Sequence, residues 1–461
     1  AVARTDALFG RKREAKAAVA TIAASRAAST LTVAPWLEYV RGEIALADDQ
    51  LVDAERHYAN AYFAARGIGD VALTLATIER LILSSGNNRE DKVAAEGWIR
   101  NGLADADRSR RLAPLGAALV YAVAARVRAV QDRPDDAVTL GATAVELAGT
   151  RSSIQIADVL AMQGENLCAL GRYDDCFALD DRALAMARGI VGPKHPRIAQ
   201  MLANFALDRQ DGNRPKQALA YADEAREVIA VTPARSSLET GNMENSVAAV
   251  IIDSDLGPDV ERARPMLVDA RRRLVAIYGE DHPDVAQIDS NLASLDIRSH
   301  HFADAIARAQ SALVREEKNP GPTSARVADT LYNLAVAKQG TSDFDGALAA
   351  ARRSLDIRAK IGANTLQHAN ALSTVASIEN AKRDYASARR DAQAALAIDG
   401  MAEPIMFRGA ALVEAARAEI GLHNAAEARK ILVEARGLFA TLGSDDNLAT
   451  CNQLLESIRA R

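Results

Sequence analysis

The chain has 461 residues with a formal net charge of −5, of which 25% are charged and 4% aromatic, so it lacks the global basic field that a nucleic-acid backbone requires. Ala, Leu, Arg, Asp and Glu dominate while Gly and Pro fall mainly between periodic segments, which favours helix throughout and argues against β-sheet. No apolar run approaches the ~20 residues of a bilayer span and no charged start with an apolar core marks a leader. The three cysteines, Cys168, Cys176 and Cys451, show neither C-x-x-C spacing nor an even count, so reduced thiols in a cytoplasm are expected.

In chain order, residues 1–30 predict one helix without a clear partner. It carries Arg4, Arg11, Lys12, Arg13, Lys16 and Arg26 against Asp6 and Glu14, read as a solvated face leading from an upstream region or, alternatively, as a membrane-proximal basic segment. From 31 to 441 one pattern returns ten times: an apolar or aromatic residue, a small one three later, a large one or Ala four later, and a small one three later again. Leu51, Ala54, Tyr58 and Ala61 form one clean copy, and Phe302, Ala305, Ala309 and Ala312 another. Its anchors, Ala54, Ala95, Ala137, Cys176, Ala218, Ala263, Ala305, Ala347, Ala388 and Ala428, lie 41, 42, 39, 42, 45, 42, 42, 41 and 40 residues apart. A phase held that long predicts a solenoid in which each unit touches its neighbours.

The unit at 154–188 shows its punctuation openly. Ala157, Val159, Leu160 and Leu167 mark one helix, Gly171 breaks it, and Tyr173, Cys176, Phe177, Leu179, Ala183, Leu184 and Ala187 mark a second. Gly164 and Cys176 are small enough for the two helices to cross closely. Further turns are predicted near Asp49, Arg133, Asn213, Ser299, Thr341 and Arg383, and Arg352 is expected on a solvated face. Residues 442–461 read as a single helix capping the last unit.

Short strings that suggest chemistry have simpler explanations. His282-Pro283-Asp284 opens a repeat, Phe344 is the turn aromatic of its repeat, and His300 with His301 sits at a turn. Asp253, Asp255 and Asp259 lack the Gly and closing Glu of a calcium loop. No nucleotide-binding glycine loop, nucleophile elbow or zinc-protease motif is present, and the acidic residues are expected mostly on exposed helix faces. The expectation is therefore no enzyme, no cofactor and no metal.

The small, aromatic, small signature resembles the tetratricopeptide repeat. The 42-residue period and the connecting stretches GPKHP at 192–196 and GEDHPDVA at 279–286 look like the kinesin-light-chain type. That resemblance implies an all-α, right-handed α-solenoid (superhelix) of about ten antiparallel helix pairs whose concave groove binds protein. It also implies part of a larger signalling protein, and the Ala and Arg content looks bacterial. In kinesin light chains and in the O-linked N-acetylglucosamine transferase superhelix an Asn two residues before the small position of the first helix holds peptide backbone. Asn204, Asn291 and Asn333 match that position here, while Met162, Ala249, Thr374 and Glu414 break the row in other repeats.

Neighbouring offsets supply Gln200, Gln287, Ser290, Ser294, Tyr332, Asn370, Ser373 and Ser377. A carboxamide both donates and accepts, so such a row can clamp an extended chain; alternatively each Asn bonds within its own repeat. The expected partner is a protein or peptide, with no nucleic acid and no transmembrane segment. The alternative is a ligand-sensing regulatory module of a multidomain kinase or transcription regulator.

Overall fold

The computed structural model describes the chain except residues 1–11, 26–28, 49, 89–91, 132, 213, 232–236, 255–259, 320, 363–364, 399–404 and 460–461. Every regular element among the described residues is helical. The turns expected near Asp49 and Asn213, and Asp255 and Asp259, lie outside the described residues, as do Arg4, Asp6, Arg11 and Arg26.

Two compact units form, residues 1–208 with 227–236 and residues 209–226 with 237–461. The first contains α1 (Lys12–Ala23), α2 (Ala34–Ala47), α3 (Leu51–Gly67), α4 (Val71–Leu83), α5 (Lys92–Ser109), α6 (Pro114–Val130), α7 (Pro134–Ala148), α8 (Ile154–Ala169) and α9 (Tyr173–Val191). Two helices, α10 (Pro196–Asp211) and α11 (Pro215–Val231), are divided between the units. The second contains α12 (Ser237–Asp253), α13 (Arg264–Tyr278), α14 (Pro283–Arg298), α15 (Phe302–Lys318), α16 (Ala325–Gly340), α17 (Phe344–Gly362), α18 (Leu366–Ala381), α19 (Tyr385–Leu396), α20 (Ile405–Gly421), α21 (Ala425–Leu442) and α22 (Asp445–Arg459).

Helices pack in hairpins, α8 on α9, α14 on α15, α16 on α17; α15 then packs on α16 and α17 on α18, the first helices of the next repeats. First helices also touch one another across repeats, as in α14 with α16 and α16 with α18. This is an all-α solenoid of antiparallel helix pairs.

Local chemistry explains the boundaries. Ser153, Ser324 and Thr365 cap first helices by accepting from the backbone N–H of Ile156, Val327 and His368. Pro283 opens α14 where its missing N–H costs nothing, and Asp284 sits in the positive first turn. The hairpin turns need one left-handed residue. It is Gly171 (φ 74°) in one repeat but His300 (59°), Ser342 (64°), Arg383 (63°) and His423 (64°) in others.

The small-residue ladder is the core. All ten anchors from Ala54 to Ala428, Cys176 among them, are 0% exposed. A Cβ on Gly164 would stand 2.5 Å from Asp180 Oδ1 and 3.4 Å from the Cys176 carbonyl, so the close crossing read from sequence is real. The first unit is denser in aromatics, with Tyr39, Tyr58 and Tyr62 buried and the Tyr39 and Tyr58 rings 5.8 Å apart.

Two expectations are corrected. Cys168 and Cys176 form a disulfide with Cα atoms 5.4 Å apart, because the end of α8 and the first turn of α9 face each other across the turn; only Cys451 is a free thiol. The N-terminal helix does find a partner, since α1 packs on α2 with Ala15 fully buried and Lys16 2.7 Å from Asp48. A minority of the carboxylates are buried, Asp180, Asp289, Asp296, Glu316 and Glu379 among them, all under 5% exposed. At the other end α22 lays Leu448, Leu454, Leu455 and Ile458 over Leu412, Leu432 and Phe439.

Candidate functional site

The polar row lies on the first helices α10, α14, α16 and α18, and its members meet different fates. Gln200 and Asn204 are exposed on α10. Gln200 Oε1 accepts from Arg197 Nη1 at 2.9 Å, and Arg197 also pairs with Asp158 of the preceding first helix. On α14, Gln287, Asn291 and Ser294 are half-buried while Ser290 is 1% exposed. On α16, Tyr332 is half-buried and Asn333 is 8% exposed. On α18, Asn370 and Ser377 are half-buried and Ser373 is buried.

Hydrogen bonds join several of these side chains across repeats. Asn291 Nδ2 donates to Asn245 Oδ1 on α12 at 2.8 Å. Asn333 Nδ2 donates to the carbonyl of Ser290 at 3.1 Å and to its Oγ at 3.2 Å, and Thr330 donates to the same Oγ at 3.0 Å. Gln339 Nε2 reaches Ser377 Oγ at 3.2 Å, and Asn380 Nδ2 donates to both the carbonyl and the carboxylate of Glu414 at 2.9 Å. Ser373 instead donates to Ala369 of its own helix. Two kinds of position therefore coexist in the row. Gln200, Asn204, Gln287 and Ser294 keep polar atoms toward solvent, whereas Asn333, Ser290 and Ser373 spend theirs inside the stack, where an unmade hydrogen bond costs about 1–3 kcal/mol.

Behind the row, carboxylates pair with arginines. Asp289 (4% exposed) receives Arg271 Nε at 2.7 Å and Arg315 Nη2 at 2.6 Å; Asp296 (1% exposed) receives Arg264 Nη1 and Arg308 Nε, both at 2.8 Å. Burial with bidentate or double pairing makes these structural groups. Glu316 differs: it is 0% exposed and neither oxygen has a hydrogen-bond partner. Burial pushes its carboxyl up to about 7, with the nearby Arg326 and Arg315 charges pulling partly the other way.

Sequence reasoning missed Asn245, Thr330, Gln339 and Asn380. Their signal was available, since each lies on a first helix at the repeat spacing, but no family motif marks them. His300 and His301 occupy the turn expected of them, His301 preceding Phe302 at the start of α15.

A family model described as tetratricopeptide repeat matches residues 155–229 and 284–360. Clustered mitochondria protein homologs are similar over part of the chain. That of Aedes aegypti is 24% identical over 185 residues, 40% of this chain and 13% of its own length. That of Brugia malayi is 24% identical over 201 residues, 44% and 14% respectively. The chain thus spans only about a seventh of these relatives. They are eukaryotic, and the bacterial origin suggested by composition finds no support in them. Among solved structures, a Rap protein complexed with competence and sporulation factor aligns at TM-score 0.48 with 13% identity, covering 74% of this chain and 98% of that one. The hetero-tetramer Cut9-Hcn1 of APC/C aligns at 0.48 with 12% identity, covering 92% and 77%.

Proposed function

We propose that this chain, which carries tetratricopeptide repeats, is a protein-interaction scaffold that binds an extended segment of a partner along the first helices of its repeats. The kinesin-light-chain type of repeat, a place within a larger signalling protein and residence in the cytoplasm belong to the same reading. No helix among the described residues is long and apolar enough to cross a membrane.

One observation carries the reading. The pairs Gln200 with Asn204 and Gln287 with Asn291 occupy the same two positions of their first helices, and Gln200, Asn204, Gln287 and Asn291 each retain exposed surface. Carboxamides one turn apart on a first helix can receive the N–H and C=O groups of an extended chain, with little dependence on its side chains. Asn333 supports the site from behind by fixing α14 against α16 through Ser290.

The test is a pull-down with the full chain as bait, comparing wild type with Gln287→Ala/Asn291→Ala and with Asn333→Ala. Loss of a specific protein in the first variant, with helical circular dichroism unchanged, supports the reading. Retention of all partners by Gln287→Ala/Asn291→Ala overturns it and favours the small-molecule sensing alternative.

A further inference from the structure

In the first unit, two departures from the repeat's own pattern meet beside a carboxylate. Cys176 stands where the other nine anchors are Ala. Cys168 lies eight residues earlier at the end of α8. Asp208 lies on α10, two residues past the small position of its first helix, a place that is apolar in six other repeats and polar in three, Ser85, Asn166 and Asp253. The two sulphurs and a carboxylate oxygen of Asp208 all lie within 4.8 Å of one another, with both cysteines buried and Asp208 half-buried. Val138, Tyr173, Phe177 and Leu179 pack around the sulphurs. A second carboxylate, Asp180, lies 3.7 Å from Cys176 Sγ and is fully buried.

We propose that Cys168, Cys176 and Asp208 form a redox-gated site for a thiophilic divalent cation, zinc being the fitting ion. Two thiolates and a carboxylate are the ligand types zinc prefers, and the half-buried side of Asp208 leaves a fourth position for water. The site exists only when the disulfide is reduced. A small dithiol delivers two electrons and two protons, becoming a disulfide itself as Cys168 and Cys176 become thiols. Zinc then displaces the two thiol protons to solvent and bonds both sulphurs. The bound ion would join Asp208 to both sulphurs and so tie α10 to the α8–α9 hairpin, replacing a bridge inside one repeat by one between two.

The experiment uses the full chain, reduced with a small dithiol that is then removed without air, and titrated with zinc and separately with cobalt. One zinc per chain is expected, with a sulphur-to-cobalt charge-transfer band in the near ultraviolet. Cys176→Ala restores the residue of the other anchors and so retains the fold, verified by circular dichroism; it should abolish both signals. Asp208→Asn should weaken zinc by at least tenfold while keeping the sulphur band. The oxidised chain should bind no zinc. Equal zinc uptake by the reduced chain and Cys176→Ala, or a cobalt spectrum without the sulphur band, overturns the proposal.

Discussion

Arg352 on α17 places its guanidinium 3.1 Å from the carboxylate of Glu379 on α18, and that carboxylate is 1% exposed while the arginine is mostly in solvent. A residue that reads as solvated surface therefore neutralises a buried charge. Arg352→Ala should cost about 1–2 kcal/mol at neutral pH, because it leaves Glu379 buried and unpaired, with the loss limited by the exposure of the arginine. Urea unfolding at pH 7 measures it, and the double change with Glu379→Gln should recover most of the loss.

Glu316 makes stability depend on pH in the direction opposite to most carboxylates. Its folded value of about 7 lies above the usual 4.5, so between those two values the folded state holds a proton that the unfolded state has released. Stability from this group is full below about pH 4.5 and is lost as pH rises through 7. Glu316→Gln should therefore gain stability relative to wild type on going from pH 5 to pH 8, by up to about 3 kcal/mol at ~1.4 kcal/mol per pH unit. A difference between the two proteins that stays constant across that range contradicts the assignment.

Four hairpin turns hold a side chain in the left-handed conformation that Gly171 adopts without strain in its own turn. Ser342→Gly and Arg383→Gly should each stabilise the chain by about 0.5–1 kcal/mol, and Gly171→Ala should destabilise it by a similar amount. Thermal denaturation midpoints check the signs.

Ala305 and Ala347 are 0% exposed where second helices cross first helices. Ala305→Leu or Ala347→Leu forces side-chain atoms into filled space and should cost about 1–3 kcal/mol. Unchanged thermal unfolding in both variants contradicts the packing.

The repeat phase was legible because small residues are required at each crossing and so recur in the sequence itself. The side-chain network was not. A carboxamide two residues before the small position has the same spacing whether it faces solvent, as Asn204 does, or a neighbouring backbone, as Asn333 does. Asp289 and Asp296 read as surface acids because their arginines lie 12 to 32 residues away on other helices. The Cys168–Cys176 bridge escaped because eight residues across a turn matches no metal or redox motif.

Asn245 with Asn291, Ser290 with Asn333 and Asn380 with Glu414 give three junctions each a different donor and acceptor. Apolar small-residue contacts are alike at every junction, and on their own they would let one unit stand in for another. The polar bonds act as keys between particular neighbours. Excising one 42-residue unit, or duplicating it, would pair a carboxamide with an alanine or leave a hydroxyl without its donor. The order of units is thus written into the stack, and the array can lengthen or shorten only where the key is blank.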